Sequence, residues 1–387
     1  IRVVRNGKLG FAASSDETAM DKLAANVLES AAYGDPVPIK FPSDGLAPVV
    51  ATHDPKIADL PITRLVEIGK EIIDFILNAA PEVRTNVSLK RGLQQLSIRN
   101  DTGAEISFSR SPLSIQVEIA RIEGDDVLIM FDMLGTTLWQ DNYMEFVQRL
   151  TSKLVLARSV STLRPGKMPV IFSPSGGLVL GIPLMEGING KNVYTGTSPL
   201  KGKIGEKLFD DKITLVDDGT LDGRLESAPY DDEGIPHRRN VIIDDGILRG
   251  FLYDLKTAVL AGAESTGNGS RGLFNPPNPS PTNLIINAGD TPLDDMIASV
   301  DYGLLVEDVL GMGQGNIISG AFSNPLSVAF KIEHGEITGR IKNASIADNV
   351  YSLLKNVSAV SREQNWVYGS LCLPYIMLPE MNIVAKQ

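Results

Sequence analysis

Few residues in this chain have the type and spacing for chemistry. Its three histidines, His53, His237 and His334, are far apart in sequence, whereas catalytic zinc takes three His, Cys or carboxylate ligands plus water. Asp231, Asp232, Glu233 and His237 form the densest potential ligand set. The plain reading of that set is an acidic turn ahead of a strand at Val241. Cys372 lies in the apolar run Leu371-Cys372-Leu373-Pro374, which suits a buried structural thiol better than a reactive one. Ser173 and Ser175 flank Pro174 without a Gly-x-Ser-x-Gly elbow or a nearby histidine. Glu186 alone could be an acid or base, but a lone Glu between Met185 and Gly187 more often simply sits at a solvent edge. Gly311-Met312-Gly313-Gln314-Gly315 lacks both phosphate-loop spacings and reads as a strand-entry turn. One segment suits ligand binding: Ser265 to Arg271 offers backbone donors, the Asn268 amide and the Arg271 guanidinium, groups that can grasp a peptide backbone or carboxylate. The competing reading is that Gly267 and Gly269 cap the preceding helix.

The elements that must position these residues are mixed. Ser14 with Glu17 reads as a capping box ahead of Met20, Leu23, Ala24, Val27, Leu28 and Ala31 at helical spacing. A second helix is expected from about Pro61 to Ala79, burying Leu65, Ile68, Ile72, Ile73 and Ile76. Residues 86 to 134 alternate in character and read as an antiparallel meander, and a helix from about Asp141 to Arg158 follows. Beyond Leu163-Arg164-Pro165-Gly166-Lys167, short strands between glycine turns dominate, with strand candidates at 213–216, 241–243, 284–287, 315–321 and 326–332 and helical patterns near 254–262, 294–300 and 346–355. The expected class is α+β: an N-terminal helix-plus-antiparallel-sheet domain over 1–165 and a strand-rich C-terminal domain over 166–387. Ile1 is not Met and already sits in an extended pattern, so the sequence is expected to start partway into the natural chain.

Composition narrows the function classes. With 387 residues, 43% hydrophobic and 21% charged, the chain can bury a large core. A net charge of -11 disfavours direct nucleic-acid binding, which needs a basic surface. One cysteine excludes an internal disulfide framework and fits a reducing cytoplasm. No apolar run reaches the roughly 18 residues of a membrane span.

The order Gly196-Thr197-Ser198, Gly202-Lys203-Ile204-Gly205-Glu206, Val216-Asp217-Asp218-Gly219-Thr220, Ala228-Pro229-Tyr230-Asp231-Asp232, Ser265-Thr266-Gly267-Asn268-Gly269 and Leu378-Pro379-Glu380-Met381 resembles the TldD/TldE (PmbA) family of zinc proteases, historically labelled modulators of DNA gyrase. In TldD-type subunits the segment before Gly-Thr-Ser carries His-Glu-x-x-x-His. Here those positions fall on Gly181, Ile182 and Glu186, and none can play its family role. Pro183 would also disturb a helix there. The resemblance therefore implies a TldE/PmbA-type subunit with no cofactor of its own, zinc being expected only in a TldD-type partner. It implies a cytoplasmic homodimer, or a heterodimer with a TldD-like chain, acting on peptide. The alternative is a stand-alone peptide-binding or regulatory homodimer. A similar Thr-Gly-Asn-Gly-Arg string in the zinc-bearing relatives makes Thr266, Gly267, Asn268 and Arg271 the peptide-binding candidates. The apolar run Leu371 to Leu378 reads either as an interface or as a core strand.

Overall fold

A computed structural model describes residues 1–43, 45–314 and 316–385. The chain folds as α+β. Its first part pairs the strands Arg2–Arg5 and Lys8–Phe11 beside the helix Met20–Tyr33. That helix starts later than the capping box predicts. Ala19 occupies the N-cap, and the Ser14 hydroxyl instead accepts from Asp16 N–H at 2.9 Å, closing a turn before the helix. Two longer helices, Ile62–Ala79 and Glu145–Leu156, cover an antiparallel sheet of Arg84–Arg91, Leu113–Glu123 and Asp126–Thr136. Ile68, Ile72 and Ile76 recur every four residues and are each 0% exposed; burying each contributes about 1.5–3 kcal/mol. On the middle strand Ile115, Val117 and Ile119 alternate inward in the same way. The expected meander is interrupted: Gln94–Arg99 and Glu105–Arg110 leave the sheet as a separate hairpin around the turn at Asn100 to Gly103.

The later part is a 12-stranded sheet. Five of its strands close a ring, because Ala344–Asn349 pairs both Ala321–Glu333 and the long strand Leu371–Ala385, which pairs Gly166–Phe172, itself beside Tyr302–Val309. Several expectations shift here. Residues 344–349 are a strand, and only Val350–Leu353 behind them is helical. Ile317–Ser319 is a single 3₁₀ turn where a strand was expected, and Gly315 lies outside the described residues. Two apolar clusters form, and the one beneath the first sheet also takes in Leu305, Phe330, Ile332 and Tyr375 from the large sheet. The first layer is thus seated on one face of the ring, and the other cluster lies under the helix Leu178–Gly187. Leu371, Cys372, Leu373, Ile376 and Leu378 are all buried, so this apolar run is a core strand.

Candidate functional site

The strand Gly166–Phe172 turns sharply into the helix Leu178–Gly187. Ser173 holds the turn: its hydroxyl accepts from Gly176 N–H at 3.1 Å, and its carbonyl accepts from Gly177 N–H at 2.6 Å. Gly176 lies flat on the Val306 backbone, where a Cβ would overlap the carbonyl oxygen. Contrary to the expectation from Pro183, the helix runs through this proline. The missing N–H removes one helical bond, and outside partners stabilise the helix end instead. The Tyr351 hydroxyl donates to the Pro183 carbonyl at 3.0 Å, and the Ser198 hydroxyl donates to the Gly187 carbonyl at 2.6 Å. That last contact gives the Gly-Thr-Ser string a structural purpose, because Gly196 ends the next helix, Gly190–Thr195, in the left-handed region and swings Ser198 back.

The three degenerate positions sit on this helix. A Cβ at Gly181 would lie 3.6 Å from Leu371 Cδ2 and 3.8 Å from Leu373 Cδ1, so aliphatic side chains face it. Ile182 packs against the core. The Glu186 carboxylate accepts from the Asn192 amide at 2.9 Å, and the same amide donates to the Glu186 carbonyl. Strand alternation puts Cys372, between Leu371 and Leu373, on the opposite face of the sheet. There it is buried, which pushes its thiol up to about 11 although the nearby Arg224 guanidinium acts to lower it. A zinc ion needs three or four convergent donors, and this helix offers one carboxylate with a committed partner. The residues therefore do not fit the metal. Among the described residues, no three His, Cys, Asp or Glu side chains converge as a metal site anywhere.

The acidic set and the 265–271 loop do meet, as one buried network. Asp217, 1% exposed, accepts from Asn268 Nδ2 at 2.6 Å and from the Thr282 N–H at 2.6 Å and hydroxyl at 3.1 Å. Burial pushes its carboxyl up to about 7 despite these donors. Asp231 is also pushed up to about 7, by burial and then by the neighbouring Glu233, although Glu233, Ile235 and Gly269 N–H groups each donate to it at 2.9 Å. The Glu233 carboxylate accepts from Leu255 N–H at 2.6 Å and pairs with Arg2. His237 is pushed down to about 4 by burial and is neutral at pH 7.

Of the loop candidates, Thr266 exchanges hydrogen bonds with the Tyr253 backbone through its hydroxyl. Gly267 packs against the Pro236 carbonyl. Asn268 is 2% exposed and places both ends of its amide internally, its oxygen accepting from Asn240 at 3.2 Å. The preceding helix, Leu255–Ala261, is capped by Gly262, so neither Gly267 nor Gly269 serves as its cap. Arg271 alone of the four is exposed, with its N–H donating to Asp232. Sequence reasoning missed a second polar cluster, where the first layer meets the large sheet. Lys153 Nζ lies 2.5 Å from Glu307 Oε2, with Asp132 and Asp308 beside them. No local signal marks it, because its members come from distant segments.

The later part of the chain is thus a ring-closed sheet carrying a strand–turn–helix followed by Gly-Thr-Ser. Residues 165–385 match the PmbA/TldA metallopeptidase C-terminal domain. The chain belongs to the TldD/PmbA family. It is 30% identical over 367 residues to an uncharacterized protein of Methanocaldococcus jannaschii, covering 92% of this chain and 82% of that one. It is 35% identical over 218 residues to the metalloprotease TldD homolog of Haemophilus influenzae, covering 56% of this chain and 45% of that protein, so it spans about half the length of that relative. Among solved structures, TldE from Thermococcus kodakarensis superposes with a TM-score of 0.86 at 26% identity, covering 99% of this chain and 89% of that one. A structure from Thermotoga maritima described as a modulator of a DNA gyrase shares the fold, with a TM-score of 0.88 at 24% identity and coverage of 99% and 88%. Among the described residues no helix is long and apolar enough to cross a membrane.

Proposed function

We propose that this chain is the metal-free subunit of a TldD/TldE-type cytoplasmic protease, with peptide-bond hydrolysis carried out by a zinc-bearing partner. The observation that carries this reading is the helix Leu178–Gly187, in which the motif positions are Gly181 against Leu371 and Leu373, Ile182 half-buried against the core and Glu186 held by Asn192. The likeness to TldE of Thermococcus kodakarensis supports it. In this role the chain supplies walls and a peptide-contacting surface, and it associates as a heterodimer with a TldD-like chain or as a homodimer when purified alone. The test combines elemental analysis of the purified chain with peptidase assays in the presence and absence of a TldD-type partner. The expected result is substoichiometric zinc and no hydrolysis alone, with activity on adding the partner. Stoichiometric zinc lost in Glu186→Gln, or hydrolysis by the chain alone, would overturn the reading.

A further inference from the structure

A cavity of about 50 Å³ lies where the first layer meets the large sheet, around the Lys153–Glu307 pair. Its walls come mainly from four elements: the strand Asp126–Thr136, the helix Glu145–Leu156, the strand Tyr302–Val309 and the turn that joins Ala359–Val367 to Leu371–Ala385. Because these elements also hold the core together, the cavity is preformed. A buried water needs roughly 10–15 Å³ of such space, so the last few atoms of a side chain can enter. The charged lining is Asp132, Lys153, Glu307 and Asp308, and Leu150, Val328 and Val367 give apolar walls.

That lining is short of both donors and positive charge, since three carboxyl groups share one ammonium. The Glu307 side chain is 5% exposed; Lys153 Nζ lies 2.5 Å from its Oε2, yet this oxygen receives no hydrogen bond from a favourable direction. Asp132 accepts only from the adjacent Met133 N–H, at 2.8 Å. Asp308 accepts from the Val309 N–H and the Ser327 hydroxyl. Arg149 acts on Asp132 from an exposed position, where solvent screens it. Burial holds the Asp132 and Asp308 carboxyls above their ordinary value, a cost that an added cation relieves. Water can donate to these oxygens but brings no charge. A metal ion does not suit them, because among the described residues no three such groups converge. A primary ammonium does: it has three donors that reach separated acceptors, and no acceptor of its own.

The opening of the cavity is aromatic. Phe131 and Tyr368 both line it, 39% and 45% exposed, with ring centroids 5.7 Å apart. Tyr368 has φ 50° and Gly369 after it φ 76°, a turn in which the first position ordinarily takes Asn, Asp or Gly. An aromatic residue held there is strained, and its ring faces are attractive to a cation. We propose that this cavity binds a primary ammonium group, which enters along the Phe131 and Tyr368 rings and donates to Asp132 and Glu307. A lysine side chain and the free N-terminus of a peptide both carry that group. The inference is independent of the subunit reading, because it needs neither zinc nor a partner.

The test is fluorescence polarisation on the purified chain with three peptide amides of otherwise identical sequence, each labelled near its C-terminus with an uncharged dye. The first is N-acetylated with a central Lys, the second is N-acetylated with norleucine in place of the Lys, and the third has the norleucine and a free N-terminus. The Lys peptide or the free-N-terminus peptide should bind on the order of 10-fold more tightly than the acetylated norleucine peptide, and which of the two does so identifies the source of the ammonium. Asp132→Asn keeps the side-chain shape and removes the charge, and Tyr368→Asn suits the left-handed turn and removes the ring. Each variant, with its fold checked by melting temperature, should lose the preference; if Asp132→Asn does not fold, Tyr368→Asn decides. A general attraction of cationic peptides to a chain of net charge -11 would persist in both variants. Equal or absent binding of all three peptides, or a preference that persists in either folded variant, would overturn the proposal.

Discussion

Replacing Asn268 by Ala asks whether the most suggestive residue of the 265–271 loop holds a ligand or holds the protein. The amide donates to Asp217 Oδ2 at 2.6 Å and to the Ser280 carbonyl at 3.0 Å, and it accepts from Asn240. A bond to a charged group contributes about 1.5–3 kcal/mol and a neutral one about 1 kcal/mol. At pH 8, with Asp217 ionised, losing one bond of the first kind and two of the second should therefore cost about 3.5–5 kcal/mol. Burial sets the Asp217 carboxyl at about 7 in the folded state against 3.8 ordinarily, so the folded protein retains a proton that the unfolded chain releases. That contribution to stability is full below about pH 4 and is lost as pH rises through about 7. At pH 5 Asp217 is protonated, the bond it loses is a neutral one, and the cost of Asn268→Ala should shrink by about 1–2 kcal/mol. Urea unfolding of both proteins at pH 5 and pH 8, read by far-UV circular dichroism, measures the two differences. A cost under about 0.5 kcal/mol at pH 8, coupled with loss of peptide binding, would refute the argument and make Asn268 a contact residue.

Two further outcomes follow from the packing. Cys372 is 1% exposed with its thiol pushed up to about 11, so a thiol reagent at pH 8 should label it only on unfolding; rapid labelling of the native protein would contradict the burial. Gly176→Ala forces a methyl group into the Val306 carbonyl and should cost upwards of about 2 kcal/mol in a denaturation curve, whereas a near-neutral result would show that the turn can move.

How much was legible depended on whether a signal was local. The helix Ile62–Ala79 followed from isoleucines at one spacing, because that face alone is buried. The helix Leu178–Gly187 gave no such period, since it is buried nearly all round and contains Pro183. The acidic turn at 231–233 and the loop at 265–271 were each visible, but their meeting was not, because Asn268 finds Asp217 across 51 positions of sequence. Arg271 stood out in the sequence, and only folding showed that it alone of the four loop candidates is exposed. Ser14 misled because its hydroxyl can close a short turn as readily as cap a helix.

The ring of strands has a consequence for the order of assembly. The strand Leu371–Ala385 is bonded to Gly166–Phe172, Leu284–Ile286, Ala344–Asn349 and Ala359–Val367, with Ile376 opposite Phe172. Until residues 371–385 emerge from the ribosome, Gly166–Phe172 and Leu284–Ile286 each lack a neighbour and expose apolar side chains together with bare backbone groups. Closure across some 200 positions is slow compared with local pairing. The nascent chain thus passes through an interval in which its most apolar strands are available to other chains, and its yield in the cell depends on how that interval is protected.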